Sequence, residues 1–396
     1  MTTQEHPDTI QESSVDRVRA RIQEGRLGKN LGLAFHLKQI DNVLYGIQQA
    51  RYYLVGADSG CGKSSIVDFL FVLKAYFTAV EQCRAFVCFY YSFEISEEEK
   101  IAKWICTVVK VLHDLDLHVD YVMGRISGMT VSDVDQVLID EALEVITDVL
   151  KHVIIIDTTK NPTAIFTDVI EYAESIGKVI RKVVVSKKKK DDNGNFVQTK
   201  YITGFIPNDP DQITIIVLDH VALATPEQGM DTKSTIDLLS KYFVFIRNKF
   251  RFSIVAVQQF NAELQSVERR KFKAAALAPG RNDFGDSKYT YRDADVVLGG
   301  LMPSMFDISE FYGYSILPGA GNSRDYYFGN YLVMWFLMKN RYGKSGIPFA
   351  LFMNGMAGTF TDLPRATEEN EFTLESMSEE RTRLETINEW YCPKSQ

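Results

Sequence analysis

The sequence predicts an α/β protein with a mostly parallel central sheet flanked by helices. Continuous apolar runs at 85–94, 152–157, 213–219 and 253–259 are the kind that a parallel sheet buries on both faces. Helical patterns separate them, as crossovers between parallel strands require. At 52–65 an apolar run enters a glycine-rich loop that opens directly into a helix.

Along the chain, residues 8–27 are polar with a weak helical period at Val15, Val18 and Ile22, broken by Gly25 and Gly28. They predict an exposed helical arm within residues 1–30, with a frayed terminus as the plainer alternative. Residues 31–47 lead into the first strand, 52–55. That strand runs through Gly56 into Ala57-Asp58-Ser59-Gly60-Cys61-Gly62-Lys63-Ser64-Ser65, and a helix continues through Ile66, Phe69, Leu70 and Val72. Backbone N–H groups of such a loop and the positive end of its helix converge on one point and hold phosphate. Lys63 then reaches β- and γ-phosphates and the Ser64 hydroxyl ligates Mg²⁺. Ala57 stands where the strict pattern has glycine, and it is small enough to leave the loop open. A chance glycine-rich turn is the competing reading; the strand–loop–helix context favours a nucleoside triphosphate site, with ATP and Mg²⁺ as cofactors.

The run 85–94 ends on Glu94, and Ser96-Glu97-Glu98-Glu99 caps a helix carrying Ile101, Trp104 and Val108. Two helical patterns follow, split at 124–128. The strand 152–157 precedes a helix through Ile165, Val169 and Tyr172. From 182 to 212 the rhythm breaks. Val183-Val184-Val185, four lysines at 187–190, Asp192-Asn193-Gly194 and Phe196-Val197-Gln198 predict an inserted β-hairpin turning at Asn-Gly. Its lysines read first as a solvated arm, second as a contact for nucleic acid or an acidic partner. Strand 213–219 ends on Asp219, helix 235–250 follows, and strand 253–259 ends on Gln259. Further strands fall at 295–298, 331–337 and 349–353. The Glu-studded stretch 365–396, with Trp390-Tyr391 near its end, reads as a disordered tail or a docking helix.

Of 396 residues, 45% are hydrophobic and 24% charged, enough for one large core. No run approaches the roughly 18 apolar residues of a membrane span, since Lys74 interrupts the most apolar helix. The polar, carboxylate-bearing first residues are neither a signal nor a transit peptide. Five cysteines without a CxxC pair suit a reducing cytoplasm. Six scattered histidines lack metal-ligand spacing. The net charge of −8 argues against a wholly basic nucleic-acid binder while allowing a locally basic channel.

In a parallel sheet, ligands collect at the carboxyl ends of the strands. The phosphate loop, Glu94, Asp219 and Gln259 are therefore expected along one edge. Asp219 suits the Mg²⁺ shell, through Ser64 and water. Glu94 suits polarisation of an attacking water, and Gln259 the sensing of the γ-phosphate and relay of its loss. One acid at a strand end is as readily a helix cap; four such residues at matching ends form a site.

In this order and context the chain resembles the motor domain of DnaB-type (superfamily 4) hexameric replicative helicases, a branch of the RecA-like P-loop ATPases. Tyr91-Ser92-Phe93-Glu94-Ile95-Ser96 is similar to the family's F-S-L-E-M-S stretch, whose Glu is catalytic. Leu218-Asp219-His220 resembles its metal motif, and Val257-Gln258-Gln259-Phe260-Asn261 its S-Q-L-N sensor. Arg292-Asp293-Ala294-Asp295-Val296-Val297 resembles Q-D-A-D-V-V. Lys339-Asn340-Arg341-Tyr342-Gly343 resembles the K-H-R-N-G segment that lends a lysine and an arginine to the neighbouring subunit's ATP. The match spans 31–363, within an expected catalytic domain at 31–364.

The resemblance implies an ATP-dependent, ring-forming DNA helicase translocating 5′ to 3′ on single-stranded DNA. It also implies a hexameric homo-oligomer, primase, loader or polymerase partners, no membrane contact and a cytoplasmic setting. The chain departs from the family in having a short arm in place of a collar domain and in its extra hairpin. Both departures bear on partner contacts, and a short helicase of this kind suits a virus-encoded replication protein in a host cytosol. Lys339 and Arg341 would complete a neighbour's site, so that hydrolysis needs an assembly; on residues alone they are surface cations after a strand. DNA contacts are expected from Lys233, in the 226–233 loop, and from Arg269, Arg270, Lys271, Lys273 and Arg281, against the alternative of a charged helix face. A RecA-like recombinase filament and a non-translocating regulatory or loading ATPase are the rival functions, and the Lys-Asn-Arg segment favours the helicase branch.

Overall fold

The apolar runs of the sequence become the middle of a nine-stranded sheet in a computed structural model that describes residues 14–28, 30–190, 196–261, 277–285, 288–306, 308–319, 326–364 and 371–391. The strands are β1 Tyr52–Ala57, β2 Phe86–Ser92, β3 Val153–Ile156, β4 Gly177–Lys190, β5 Phe196–Pro207, β6 Ile213–Asp219, β7 Ser253–Gln259, β8 Val296–Leu301, β9 Glu310–Phe311, β10 Tyr314–Ser315, β11 Leu332–Asn340, β12 Ile347–Asn354 and β13 Thr359–Asp362. The large sheet runs β13-β12-β11-β8-β1-β7-β6-β2-β3. From β8 to β3 every pairing is parallel. β11, β12 and β13 extend it antiparallel.

β1 is buried along its whole length, and its side chains alternate as a two-residue period dictates. Tyr53 and Val55 join one core layer with Trp104, Ile139 and Val149. Tyr52 and Leu54 join the other with Val169, Leu239 and Phe243. The covering helices begin on side-chain caps that satisfy free N–H groups of the first turn. Ser96 caps Glu97–His113, Ser132 caps Asp133–Val149, Asn161 caps Pro162–Ser175 and Asp231 caps Thr232–Phe250. The helix behind the phosphate loop comes in three pieces: Lys63–Val67, a π-helical turn at Asp68–Leu73, and Lys74–Glu81.

The insertion is a two-stranded antiparallel ribbon of β4 and β5, starting at Gly177, earlier than the lysine run suggested. Its root packs Phe205 on Phe250 and Phe252, and Asn208 N donates to Ile176 O beside the start of β6. The ribbon therefore leaves from the edge where the parallel strands begin. Its Asp192-Asn193-Gly194 turn lies outside the described residues. The arm contains a helix at Ser14–Arg26 with Val15, Val18 and Ile22 exposed. The C-terminal stretch holds a helix, Glu371–Tyr391, that buries Leu374, Leu384 and Tyr391. Arg383 of this helix pairs with Asp116 and with Glu380, and Tyr391 packs on Tyr121 at 5.2 Å. Among the described residues no helix is long and apolar enough to cross a membrane.

Candidate functional site

Ala57, at the end of β1, lies in register with Gln259 at the end of β7, and Asp219 of β6 lies level with Ser92 of β2, two residues before Glu94. The expected line-up along one edge is thus present. The loop between β1 and its helix turns at Gly60 and Gly62, whose φ values of 81° and 74° lie in the left-handed region that favours glycine. A Cβ on Gly62 would also stand 2.6 Å from Met353 Sδ of β12. Asp58 turns back on the loop, its Oδ1 accepting from Ser59 N at 2.8 Å. Lys63 is buried at the helix start, with Ser64 and Ser65 half-buried beside it. Cys61 is buried with its Sγ 4.0 Å from Met305 Sδ. Burial pushes its thiol up to about 11, which leaves it a packing group and not a nucleophile.

Asp219 is 2% exposed, and its two oxygens have different surroundings. Oδ2 accepts from the Tyr90 hydroxyl at 3.1 Å and lies 3.9 Å from Lys100 Nζ. Oδ1 is buried with no hydrogen-bond partner. Lys100, wholly buried, also donates to Tyr90 OH at 2.8 Å and to both oxygens of Asp68 at 3.2 Å. Burial raises the Asp68 carboxyl, against the lowering pull of the Lys100 cation. Mg²⁺ held by one or two carboxylates, a hydroxyl, waters and substrate phosphates is the ordinary arrangement. The orphaned Oδ1 of Asp219 beside the Ser64 loop fits that demand. Among the described residues no group of three or more His, Cys, Asp or Glu could hold a metal without such help.

Glu94 follows β2 with its side chain exposed, while Phe93 N donates to Asp219 O, so the acid leaves the strand beside the metal position. Gln259 Nε2 donates to Ser59 Oγ of the phosphate loop at 3.1 Å. Its neighbour Gln258 is buried and accepts from Thr290 Oγ1 at 2.7 Å.

Lys339 and Arg341 lie elsewhere. Because β11 runs antiparallel to β8, its last residue, Asn340, pairs with Val296 at the start of β8. Both cations therefore sit at the edge opposite this chain's own phosphate loop, farther from it than the length of β1, about 17 Å. Lys339 is within the strand, which a bulge between Leu337 and Lys339 carries past the expected end. Its ammonium donates to the carbonyls of Tyr291, Arg292 and Ala294 at 2.7–2.9 Å. That is a cation on the carbonyl end of helix Lys288–Asp293. Arg341, about half exposed, lies with Nε 3.4 Å from Asp295 Oδ1. Asp295 is itself fixed by Arg247 Nη1 at 2.8 Å and Tyr52 N at 3.0 Å.

Of the residues expected at DNA, Lys233 is exposed in the first turn of helix Thr232–Phe250, and Arg281 is exposed near the Tyr291 ring. Arg269, Arg270, Lys271 and Lys273 lie outside the described residues. The sequence reading passed over Asp68, Tyr90, Lys100 and the cavity beside the loop. The signal for the first and third was available: Asp68 is a lone charge in an apolar run, and Lys100 sits one turn before Trp104 on the same helix face. The cavity, about 630 Å³, is lined by Gly60, Met302, Met305, Tyr331, Met353 and Leu384. Leu384 comes from the C-terminal helix, so that helix forms one wall.

No protein-family model matches the sequence, and no curated protein matches it. Solved structures do. The ATPase domain of one DnaB-like replicative helicase is 16% identical with a TM-score of 0.62, covering 89% of this chain and 99% of its own. A second DnaB-like replicative helicase, solved for its interactions with primase, is 16% identical with a TM-score of 0.62, covering 90% of this chain and 68% of its own. The described strands, their order and the edge that gathers Lys63, Glu94, Asp219 and Gln259 therefore belong to the RecA-like fold of DnaB-like helicase ATPase domains.

Proposed function

We propose that this chain is the motor of a ring-forming replicative DNA helicase, driven by ATP and Mg²⁺. The observation that carries the reading is the shared edge: phosphate loop, buried Asp219, exposed Glu94 and Gln259 tied to Ser59. On this reading the loop amides and Lys63 hold the β- and γ-phosphates, and the cavity beside Gly60 takes the nucleoside. Ser64 and Asp219 hold Mg²⁺, which neutralises phosphate charge when bound. Glu94 accepts a proton from the attacking water. Gln259 registers the phosphate through Ser59, and the loop behind it meets single-stranded DNA.

Arg341 is the reason for assembly. The strand reversal in β11 puts it out of reach of its own site, half exposed and oriented by Asp295. It is available to a second copy, where an inserted arginine counters charge on the transferring phosphoryl group. This supports a homo-oligomer, and the structural likeness to helicase domains favours a hexamer moving 5′ to 3′. A strand-displacement assay on a forked duplex, with and without ATP, tests the reading. Unwinding that requires ATP and is lost in Lys63→Ala is the expected result. DNA-stimulated hydrolysis without strand separation would favour a recombinase-like or loading ATPase.

A further inference from the structure

We infer that Tyr90, Lys100 and Asp68 form a buried clamp that fixes the carboxylate of Asp219 so that its Oδ1 faces the metal of a bound nucleotide. The inference rests on the nucleotide-site reading above and assigns positioning roles to three residues that touch no substrate.

The clamp joins the segments that carry the proposed chemistry. Asp68 lies five residues after Lys63, on the helix behind the phosphate loop. Tyr90 lies four before Glu94 on β2, Lys100 six after it, and Asp219 ends β6. One ammonium, fully buried, meets both oxygens of Asp68, the hydroxyl of Tyr90 and, more distantly, Oδ2 of Asp219. Such a charge network is an expensive way to hold a core together, because apolar side chains of the same volume do so as well or better. What it supplies is direction. A free carboxylate can rotate about its last torsion; Tyr90 and Lys100 engage one oxygen and leave the other as the buried atom without a partner. Two carboxylates against one ammonium also leave the pocket short of positive charge, which a divalent cation at Oδ1 offsets. An outer group that orients a metal ligand in this way commonly matters to affinity about tenfold or more.

The test uses Mn²⁺ as the probe, read by electron paramagnetic resonance on the whole chain in the presence of ADP. Tyr90→Phe deletes one oxygen and keeps the ring that packs in the core. ADP without metal should bind this variant as it binds the parent, while the Mn²⁺ dissociation constant of the ADP complex should rise about tenfold. A second variant, Asp68→Asn with Lys100→Gln, removes both buried charges together at nearly constant size and should give the same split. Unchanged Mn²⁺ affinity in both folded variants would overturn the clamp. Equal losses of metal-free and metal-bound ADP would also overturn it, marking a network that only supports the loop. A parent protein that binds neither ADP nor Mn²⁺ with ADP would instead overturn the nucleotide reading itself.

Discussion

The side-chain amide of Gln259 donates to Ser59 Oγ at 3.1 Å, tying the end of β7 to the phosphate loop. Behind Gln259 the chain enters 262–276, the stretch that contains Arg269, Arg270, Lys271 and Lys273. Gln259→Ala should keep nucleotide binding and lose the stimulation of turnover by single-stranded DNA. Hydrolysis measured with and without an oligonucleotide checks this, and undiminished stimulation would rule out a relay through Gln259.

Glu94→Gln preserves size and hydrogen bonding but removes the basic oxygen. Its exposed position makes a folding defect an unlooked-for result. ATP affinity should persist while turnover falls about a hundredfold, the scale of a lost general base. Equilibrium nucleotide binding beside single-turnover hydrolysis separates the two. A drop in affinity with turnover per bound nucleotide intact would assign Glu94 to binding.

Removal of residues 185–201 should leave basal ATP hydrolysis intact, because the ribbon of β4 and β5 is rooted at the strand-start edge, away from the phosphate loop. The Phe205 root on Phe250 and Phe252 stays in place. If the lysines of the ribbon meet DNA, the slope of binding against salt should also flatten, by about one unit for each phosphate that the shortened chain no longer neutralises. Loss of the cooperative melt would show that the ribbon belongs to the core.

Arg341→Ala should bind ATP and assemble, yet hydrolyse about a thousandfold more slowly, the scale of an inserted arginine. Mixed with Lys63→Ala protein it should regain activity, since some interfaces then join an intact loop to an intact arginine. Mixed assemblies of proven composition that stay inactive would mean that Arg341 serves its own subunit or no site at all.

The sheet was legible because each central strand is a continuous apolar run bounded by a loop. The strands 213–219 and 253–259 coincide with β6 and β7 to the residue. β13 escaped because four residues, Thr-Phe-Thr-Asp, carry no pattern distinct from a turn, and its place comes from pairing with β12. The edge holding Lys63, Glu94, Asp219 and Gln259 followed from strand polarity alone. Lys100 did not, because a lysine four residues before a tryptophan reads as a helix surface until burial is known. The place of Arg341 needed the sign of one pairing: parallel or antiparallel β11 gives the same apolar pattern and opposite ends of the molecule.

β11 and β12 are two halves of one hairpin, in register from Leu332 with Phe352 to Leu337 with Ile347. At one end Met353 leans on Gly62 of the phosphate loop; at the other, the turn after Asn340 bears Arg341. A hydrogen-bonded strand pair resists stretching along its length far more than it resists bending or twisting. The hairpin is thus a push-rod through the sheet. Whatever displaces the loop against Met353 is felt, with little dissipated on the way, at the arginine on the far side.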